Sequence, residues 1–552
     1  MTAIALRDGL YNAGVLGFCR VLEYISAHNP ELLGRELYQK CGSTIEFDGE
    51  TIWPIFTQSY FDTLLHYFQK TTSGYELMQR IESILQPRAS EEDGFEDRRK
   101  RMMEMLKQKF VTGASYKAAC KILEAEGETY PFLDEAKAIL KERDWEQQQS
   151  RLKIFQTHFE QHRETFYLKD IAYNRVQQYW GGISFLQKTK NTSPFAESFE
   201  EEFIQGIQNW KPVKGKRAMT CFQCGAVLPS GMQSMAWIND LGVDIKRKTN
   251  GFWNFNVDLI PCPICKLIYA CIPLGFLGSA YEGFFINAAG SMEDMISLNQ
   301  PVNLADPNGE GSFASRLSTF LAQSNVEEAE QRLNNIQVIR RSRNEDGNWQ
   351  YRVNILSHTM LRGLMDSRSS LKTLRKYPML LRAVMEDVLD GKHLYSLMIQ
   401  EERKRLKEKQ LFFGLYSVLN VQIKLYTGED KMENLQNKEK GAKTRTEYLK
   451  SKARNAMREG HALREAIMNS VNENKVQSLS YRLLGALQTG NVDTYVQAIT
   501  RQYLSLGKLV PTVFLDALTD DEVFMAVGQA FLIGLNSIDS KNNTTDTQNG
   551  EE

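Results

Sequence analysis

From residue 3 to residue 26, apolar side chains recur at near-helical spacing: Leu6, Leu10, Val15, Leu16, Phe18, Leu22 and Ile25. This pattern predicts an amphipathic helix or a helix pair. The period then changes. Ile45-Glu-Phe47-Asp-Gly-Glu-Thr-Ile52 alternates around Asp48-Gly49, which predicts a short hairpin, because Asp-Gly suits the positive φ of a tight turn. Helical text returns from 56 to 165, interrupted by an acidic, polar linker at Ser90–Asp97. Residues 166–210 are mixed, with a turn at Tyr179-Trp-Gly-Gly182 and a helix over Ser198–Asn209. A second hairpin is predicted over Ile336–Ile355, turning at Asn344-Glu-Asp-Gly-Asn348. Helices dominate from 359 to 538. The tail after Asn536 is too poor in apolar residues to form a core and is expected to be disordered.

Four of the eight cysteines break this pattern as two knuckles, Cys221-Phe-Gln-Cys224-Gly and Pro261-Cys262-Pro-Ile-Cys265. Two tight turns each carrying two thiolates can close into one tetrahedral site, which suits zinc. With four protein ligands no position stays open for water, so the zinc is read as structural. The competing readings are four unrelated core cysteines, or a redox Cys-x-x-Cys beside a coincidental copy; a redox motif needs no second copy. Cys271 is read as core.

A chain of 552 residues should hold several domains, since single cores rarely grow past about 250–300 residues. The fold class expected is predominantly α with small β-hairpins and a four-cysteine zinc module, multidomain, ending in a C-terminal helical bundle. The divisions are an N-terminal, mainly helical domain at 1–210, the zinc-knuckle module at 211–290, a hairpin and helical region at 291–430, the bundle at 431–538 and a disordered tail at 539–552. The longest apolar run, Ile260–Leu277, is broken by Pro261, Pro263, Lys266 and Pro273 and cannot span a bilayer. No secretory leader is evident, and cysteines paired for metal instead of disulfides point to the cytoplasm.

The motifs of catalysis are missing. No phosphate-cradling Gly-rich loop, His-Glu-x-x-His, Gly-x-Ser-x-Gly or metal-seating His-Asp pair occurs. His158 and His162 share a helix face without a carboxylate between them and read as an exposed pair. A binding protein is therefore expected, not an enzyme. Net charge is −1, yet the cations are clustered. Lys214, Lys216 and Arg217 enter the first knuckle, and Lys246, Arg247 and Lys248 lie between the knuckles near Trp237, Phe252, Trp253 and Phe255. Arg340, Arg341 and Arg343 follow on the second hairpin, with Arg98–Arg101 beside the acidic linker. Cations mixed with aromatics can hold phosphates while stacking unpaired bases; a solvated surface is the competing reading. The bundle is also divided, with eleven Lys/Arg against five Glu over 438–482 and three against nine acids over 483–552.

Taken in order, the Leu10-Tyr-Asn-Ala-Gly-Val-Leu-Gly-Phe18 stretch, the paired knuckles and the helical C-terminal bundle resemble the large subunit of the type I-B CRISPR Cascade effector, an RNA-guided surveillance complex of antiviral defense. The resemblance runs along nearly the whole length. It implies a non-catalytic subunit that binds crRNA and target double-stranded DNA, helps recognise the protospacer-adjacent motif, stabilises the R-loop and recruits the helicase–nuclease. The implied partners are the backbone subunit, the crRNA 5′-handle-binding subunit and the small subunit, with no membrane. Since guide pairing reads most of the sequence, such a protein needs a few positioned side chains and cationic surface. Two alternatives stay open: the same scaffold in a CRISPR-associated transposon that recruits transposition proteins, and an enzyme with an unrecognised site. The resemblance also implies that a small-subunit-like fragment can be made by internal translation. Gly428-Glu-Asp-Lys-Met432 can be encoded with a purine-rich ribosome-binding sequence before an ATG, so Met432 is the candidate internal start. The basic stretch Lys438–Arg482 would then face nucleic acid.

Overall fold

A computed structural model describes residues 2–86, 94–187, 189–190, 192–211, 219–228, 234–239, 259–278, 282–288, 290–300, 313–323, 336–344, 346–426, 444–470, 473–516 and 520–537. The chain divides into two units, Met1–Ala305 with Gln337–Val353, and Asp306–Ile336 with Asn354–Glu552. Where the sequence pattern separates 1–210 from 211–290, the described residues of both, and the hairpin strands as far as Val353, fall in the first unit.

That unit opens with a strand, not with the expected helix. β1 (Thr2–Ala5) pairs antiparallel with β3 (Thr44–Phe47), which also pairs with β2 (Tyr38–Cys41). The hairpin turn therefore falls at Gly42-Ser43, where Gly42 takes φ +63°, instead of at Asp48-Gly49. Asp48 caps helix α2 (Gly49–Phe68), accepting from the Glu50 N–H at 3.2 Å and the Thr51 hydroxyl at 2.6 Å. The reason is the text beyond it: Ile52, Trp53, Phe56 and Tyr60 keep helical spacing and are all buried.

Helix α1 (Gly9–His28) is buried around its whole circumference from Leu10 to Leu22, Asn12 and Arg20 included, because it is covered on two sides. Phe18 meets Phe47 at 5.0 Å and Phe56 at 5.3 Å between ring centroids. Gly14 and Gly17 meet the chain after the second knuckle so closely that a Cβ would stand 2.2 Å from the Ile268 carbonyl oxygen and 2.1 Å from that of Cys271. Only glycine admits a crossing this tight. The Asn12-Ala-Gly-Val-Leu-Gly text is thus the imprint of another segment's backbone.

The helices α3 (Ser73–Leu85), α4 (Phe95–Leu106), α5 (Ala114–Ala125), α6 (Phe132–Lys141), α7 (Trp145–Gln161) and α8 (Arg163–Asn174) surround an aromatic centre of Phe110, Phe132, Phe155, Phe159 and Phe166. Asp97, assigned to the linker in sequence, lies in the first turn of α4; residues 90–93 lie outside the described ones. The helical text over 198–209 is borne out by Phe195–Phe199, a π-helical Glu200–Ile204 and Gln205–Gln208. A second antiparallel sheet runs in the order β4 (Leu277–Gly278), β5 (Glu282–Asn287), β6 (Gln337–Arg343), β7 (Trp349–Ile355). The hairpin expected over 336–355 is present, its turn closed by the Asn344 N–H on the Asn348 carbonyl at 2.8 Å.

Within the second unit all regular structure other than the end of β7 is helical among the described residues. Its apolar centre is the helix Asp521–Leu535, buried along most of its length from Val523 to Leu535. The helix Arg445–Ser470 packs on it through Leu449, Ala453, Ala456, Leu463 and Ile467, leaving Arg454 and Arg458 exposed. Arg445 joins the basic stretch to the acidic one, bonding Asp520 at 3.1 Å and Glu522 at 2.9 Å. Met432 and the tail 539–552 lie outside the described residues. No helix among the described residues is long and apolar enough to cross a membrane.

Candidate metal centre

The first knuckle is a reverse turn pinned at its base. The Cys221 N–H donates to the Ala226 carbonyl at 2.8 Å and the Gly225 N–H to the Cys221 carbonyl at 2.9 Å, with Gly225 at φ +76°. A side chain at Gly225 would be strained in that conformation. The second knuckle is a helix start. Cys262 caps Pro263–Ala270, its Sγ accepting from the Cys265 N–H at 3.5 Å, and Pro263 fills the first helical position, where a missing N–H costs nothing. The Phe222 N–H reaches the Ile260 carbonyl at 3.2 Å and ties one knuckle to the other.

This folding brings the four predicted ligands together. The Sγ atoms of Cys221, Cys224, Cys262 and Cys265 all lie within 4.8 Å of one another, and Cys224 and Cys262 are 3.6 Å apart. Tetrahedral ligation at a metal–sulfur length of about 2.3 Å spaces sulfurs about 3.8 Å apart. The cluster therefore has the dimensions of a tetrathiolate metal site. Cys221, Cys262 and Cys265 are buried and Cys224 is exposed. Hydrogen bonds from the neighbouring thiols hold Cys221 below the usual thiol range. At Cys224 the bond with Cys221 raises the thiol, but those with Cys262 and Cys265 outweigh it and bring it down to about 7, while the same crowding pushes Cys262 and Cys265 up. Four thiolates this close repel one another unless a cation lies among them. Cys271, fully buried, is not part of the cluster, as the spacing suggested.

An outer layer that sequence reading missed surrounds these thiols. Tyr11 places its hydroxyl 3.5 Å from Cys265 Sγ. Asp8 caps α1 through Oδ1, accepting from Leu10 and Tyr11 N–H at 3.1 and 3.0 Å. Its Oδ2 accepts from Gln223 Nε2, inside the first knuckle, at 2.8 Å and from the Tyr269 hydroxyl at 3.2 Å. A capping Asp before an apolar run is a readable signal; its reach to the knuckle is not.

The cationic candidates fare differently. Lys214, Lys216, Arg217, Lys246, Arg247, Lys248, Phe252, Trp253 and Phe255 lie outside the described residues. Arg340 and Arg341 are 3% and 1% exposed, a correction to their reading as phosphate contacts. As neighbours on strand β6 they point to opposite faces of the sheet, so both of its faces are covered at this position. Arg341 donates to the Gln178 carbonyl at 2.7 and 3.1 Å and lies 4.2 Å over Tyr351. Only Arg343 of the three is exposed. Trp237 is core, edge-on to Trp180. His158 and His162 are half-buried, the first stacked on Tyr130 at 3.9 Å and the second bonded to Glu128. They serve packing and pairing, not a shared site.

No curated protein and no solved structure matches the chain. Residues 214–277, which contain all four cysteines, match the family model described as CRISPR-associated protein (Cas_CXXC_CXXC). That match, on the segment whose thiols the fold gathers into one cluster, marks the chain as CRISPR-associated.

Proposed function

We propose that the protein is the large, non-catalytic subunit of a cytoplasmic, crRNA-guided DNA-targeting complex of the type I-B Cascade kind. In this reading it binds crRNA and target double-stranded DNA, helps recognise the protospacer-adjacent motif, stabilises the R-loop and recruits a helicase–nuclease. The observation that carries the reading is the coincidence of the CRISPR-associated match at 214–277 with the closed four-thiol cluster. The ion is zinc, held by Cys221, Cys224, Cys262 and Cys265, since soft thiolates in a tetrahedral set suit it. With four protein ligands no site is open to a substrate, so the metal ties the knuckles to each other and, through Tyr11 and Asp8, to α1.

The cations Lys214, Lys216, Arg217, Lys246, Arg247, Lys248 and Arg343 supply the nucleic-acid contacts, while guide pairing reads sequence. Co-expression with its neighbouring genes, followed by purification on a tag carried by this chain, tests the proposal. The expected product is a ribonucleoprotein containing a guide RNA, a backbone subunit and a 5′-handle-binding subunit, with one zinc per copy of this chain. Recovery of the chain free of RNA and other subunits would overturn the assignment. Absence of zinc from protein prepared without chelators would overturn the metal.

A further inference from the structure

The first unit contains a cleft of about 340 Å³, none of whose lining residues belongs to the metal centre. It lies among the start of α3, the π-helical turn Lys107–Thr112, the end of α8 and the β6–β7 pair, and its chemistry is set by Thr72, Lys109, Asp170, Tyr173, Arg343 and Trp349. This volume is in the range of sites for small molecules, about 300–1,000 Å³.

The carboxylates on its wall are already engaged. Asp170, 2% exposed, accepts from the Ser73 hydroxyl, the Gly74 N–H at 3.2 Å and the Tyr116 hydroxyl at 2.8 Å. Glu76 is paired with Arg80 at 2.6 Å. The N-terminus of α3 is likewise taken, by Asp170 and by Thr72, whose side chain accepts from the Tyr75 N–H at 3.2 Å. An incoming anion therefore does not seat there. It meets Lys109, which makes no ion pair among the described residues, and Arg343, whose guanidinium lies 5.1 Å over the Trp349 ring. Phe68 and Ile171 add apolar wall.

A bare phosphate has no use for the aromatic face, and a neutral apolar ligand has none for the cations. A flat ligand carrying negative charge uses both. We propose that the cleft receives one nucleotide of a single strand, its base stacked on the Arg343–Trp349 platform and its phosphate held by Lys109. Unpaired bases stack on aromatic rings and on guanidinium planes alike. Paired bases in a duplex offer no free face, and the volume admits no duplex. The inference deepens the nucleic-acid-binding role proposed above and rests on it.

Fluorescence anisotropy of the full chain with a short, mixed-sequence single-stranded DNA tests the assignment, using Trp349→Ala, Trp349→Phe and Lys109→Glu. Trp349→Ala should weaken binding about tenfold, the loss of one stacked base, and Trp349→Phe should restore most of it. Lys109→Glu should weaken binding and flatten the log–log salt slope by about 0.7, one phosphate contact on a single strand. Trp349→Phe and Lys109→Glu keep the test open should Trp349→Ala fail to fold. Wild-type binding that all three variants leave unchanged would overturn the cleft while the nucleic-acid role stood. No binding by the wild type would overturn both. Binding of 5′-AMP as tight as that of the strand would replace the strand by a free nucleotide as the occupant.

Discussion

Asp8 does two jobs with two oxygens. One caps α1 and the other holds Gln223 and Tyr269 beside the thiols. Replacing a capping Asp by Ala costs about 1 kcal/mol, and because Asp8 bonds Gln223 and Tyr269 and not a thiol, its loss should lower metal affinity by less than the roughly 10–100-fold of a partner bonded to a ligand. Asp8→Ala should show both losses, in thermal melts and in zinc competition against a chelator. Asp8→Asn should separate them, because Asn caps as well but offers Gln223 one acceptor fewer. Gly17 is the complementary case, where the missing atom is what matters. Gly17→Ala would press a methyl to 2.1 Å from the Cys271 carbonyl oxygen and should cost about 1–3 kcal/mol or more. Gly181→Ala, whose Cβ would meet nothing nearer than 4.0 Å, is the control that should melt almost as the parent does. The four ligands could be read from spacing. Asp8 and Tyr11 could not be connected to them, since Tyr11 lies 254 positions from Cys265.

Individual elements were legible where two local signals agreed. Asn-Glu-Asp-Gly-Asn between alternating strands can be little other than a turn, and β6–β7 follows it. Asp48-Gly49 carried one signal with two meanings, because Asp favours both turns and N-caps; the helical spacing from Ile52 onward decides it. α1 was read with a single apolar face, since its second cover is contributed by residues 263–275 and leaves no local trace. A different element carries a pH dependence. Glu402, on the helix Tyr395–Lys407, is fully buried, and burial raises its carboxyl well above the usual range. A raised carboxyl keeps its proton to higher pH folded than unfolded, so folding takes up a proton once pH passes about 4.3, the unfolded value. Its contribution is complete below that pH and is lost, at up to about 1.4 kcal/mol per unit, as pH rises towards the folded value. Glu402→Gln, which keeps the shape and a hydrogen bond without the proton, should flatten this loss. Melting the parent and the variant at mildly acidic and mildly alkaline pH checks it: the variant should gain on the parent as pH rises, and parallel shifts would contradict the account.

At the scale of the whole chain, the question is how many polypeptides the gene makes. If Met432 is an internal start, expression should yield a second product of about 14 kDa, scaled from 63.3 kDa over 552 residues. Met432→Leu should abolish that band and leave the full-length one; a band that persists, or none in the parent, ends the idea. The two-unit division supports the separation only in part, because the second unit begins at Asp306 and resumes at Asn354, ahead of Met432. The first unit has its own consequence for synthesis. α1 leaves the ribosome well before one of its covers, made at Pro263–Gly275, and before β6, made at Gln337–Arg343, whose Ile339 meets Gly9. Translation runs at roughly 5–20 residues per second, so an apolar helix waits some tens of seconds for the backbone that Gly14 and Gly17 are shaped to meet. The first unit can close only as a late event in the life of the nascent chain, and through that interval the apolar surface of α1 stays open to aggregation unless something shelters it.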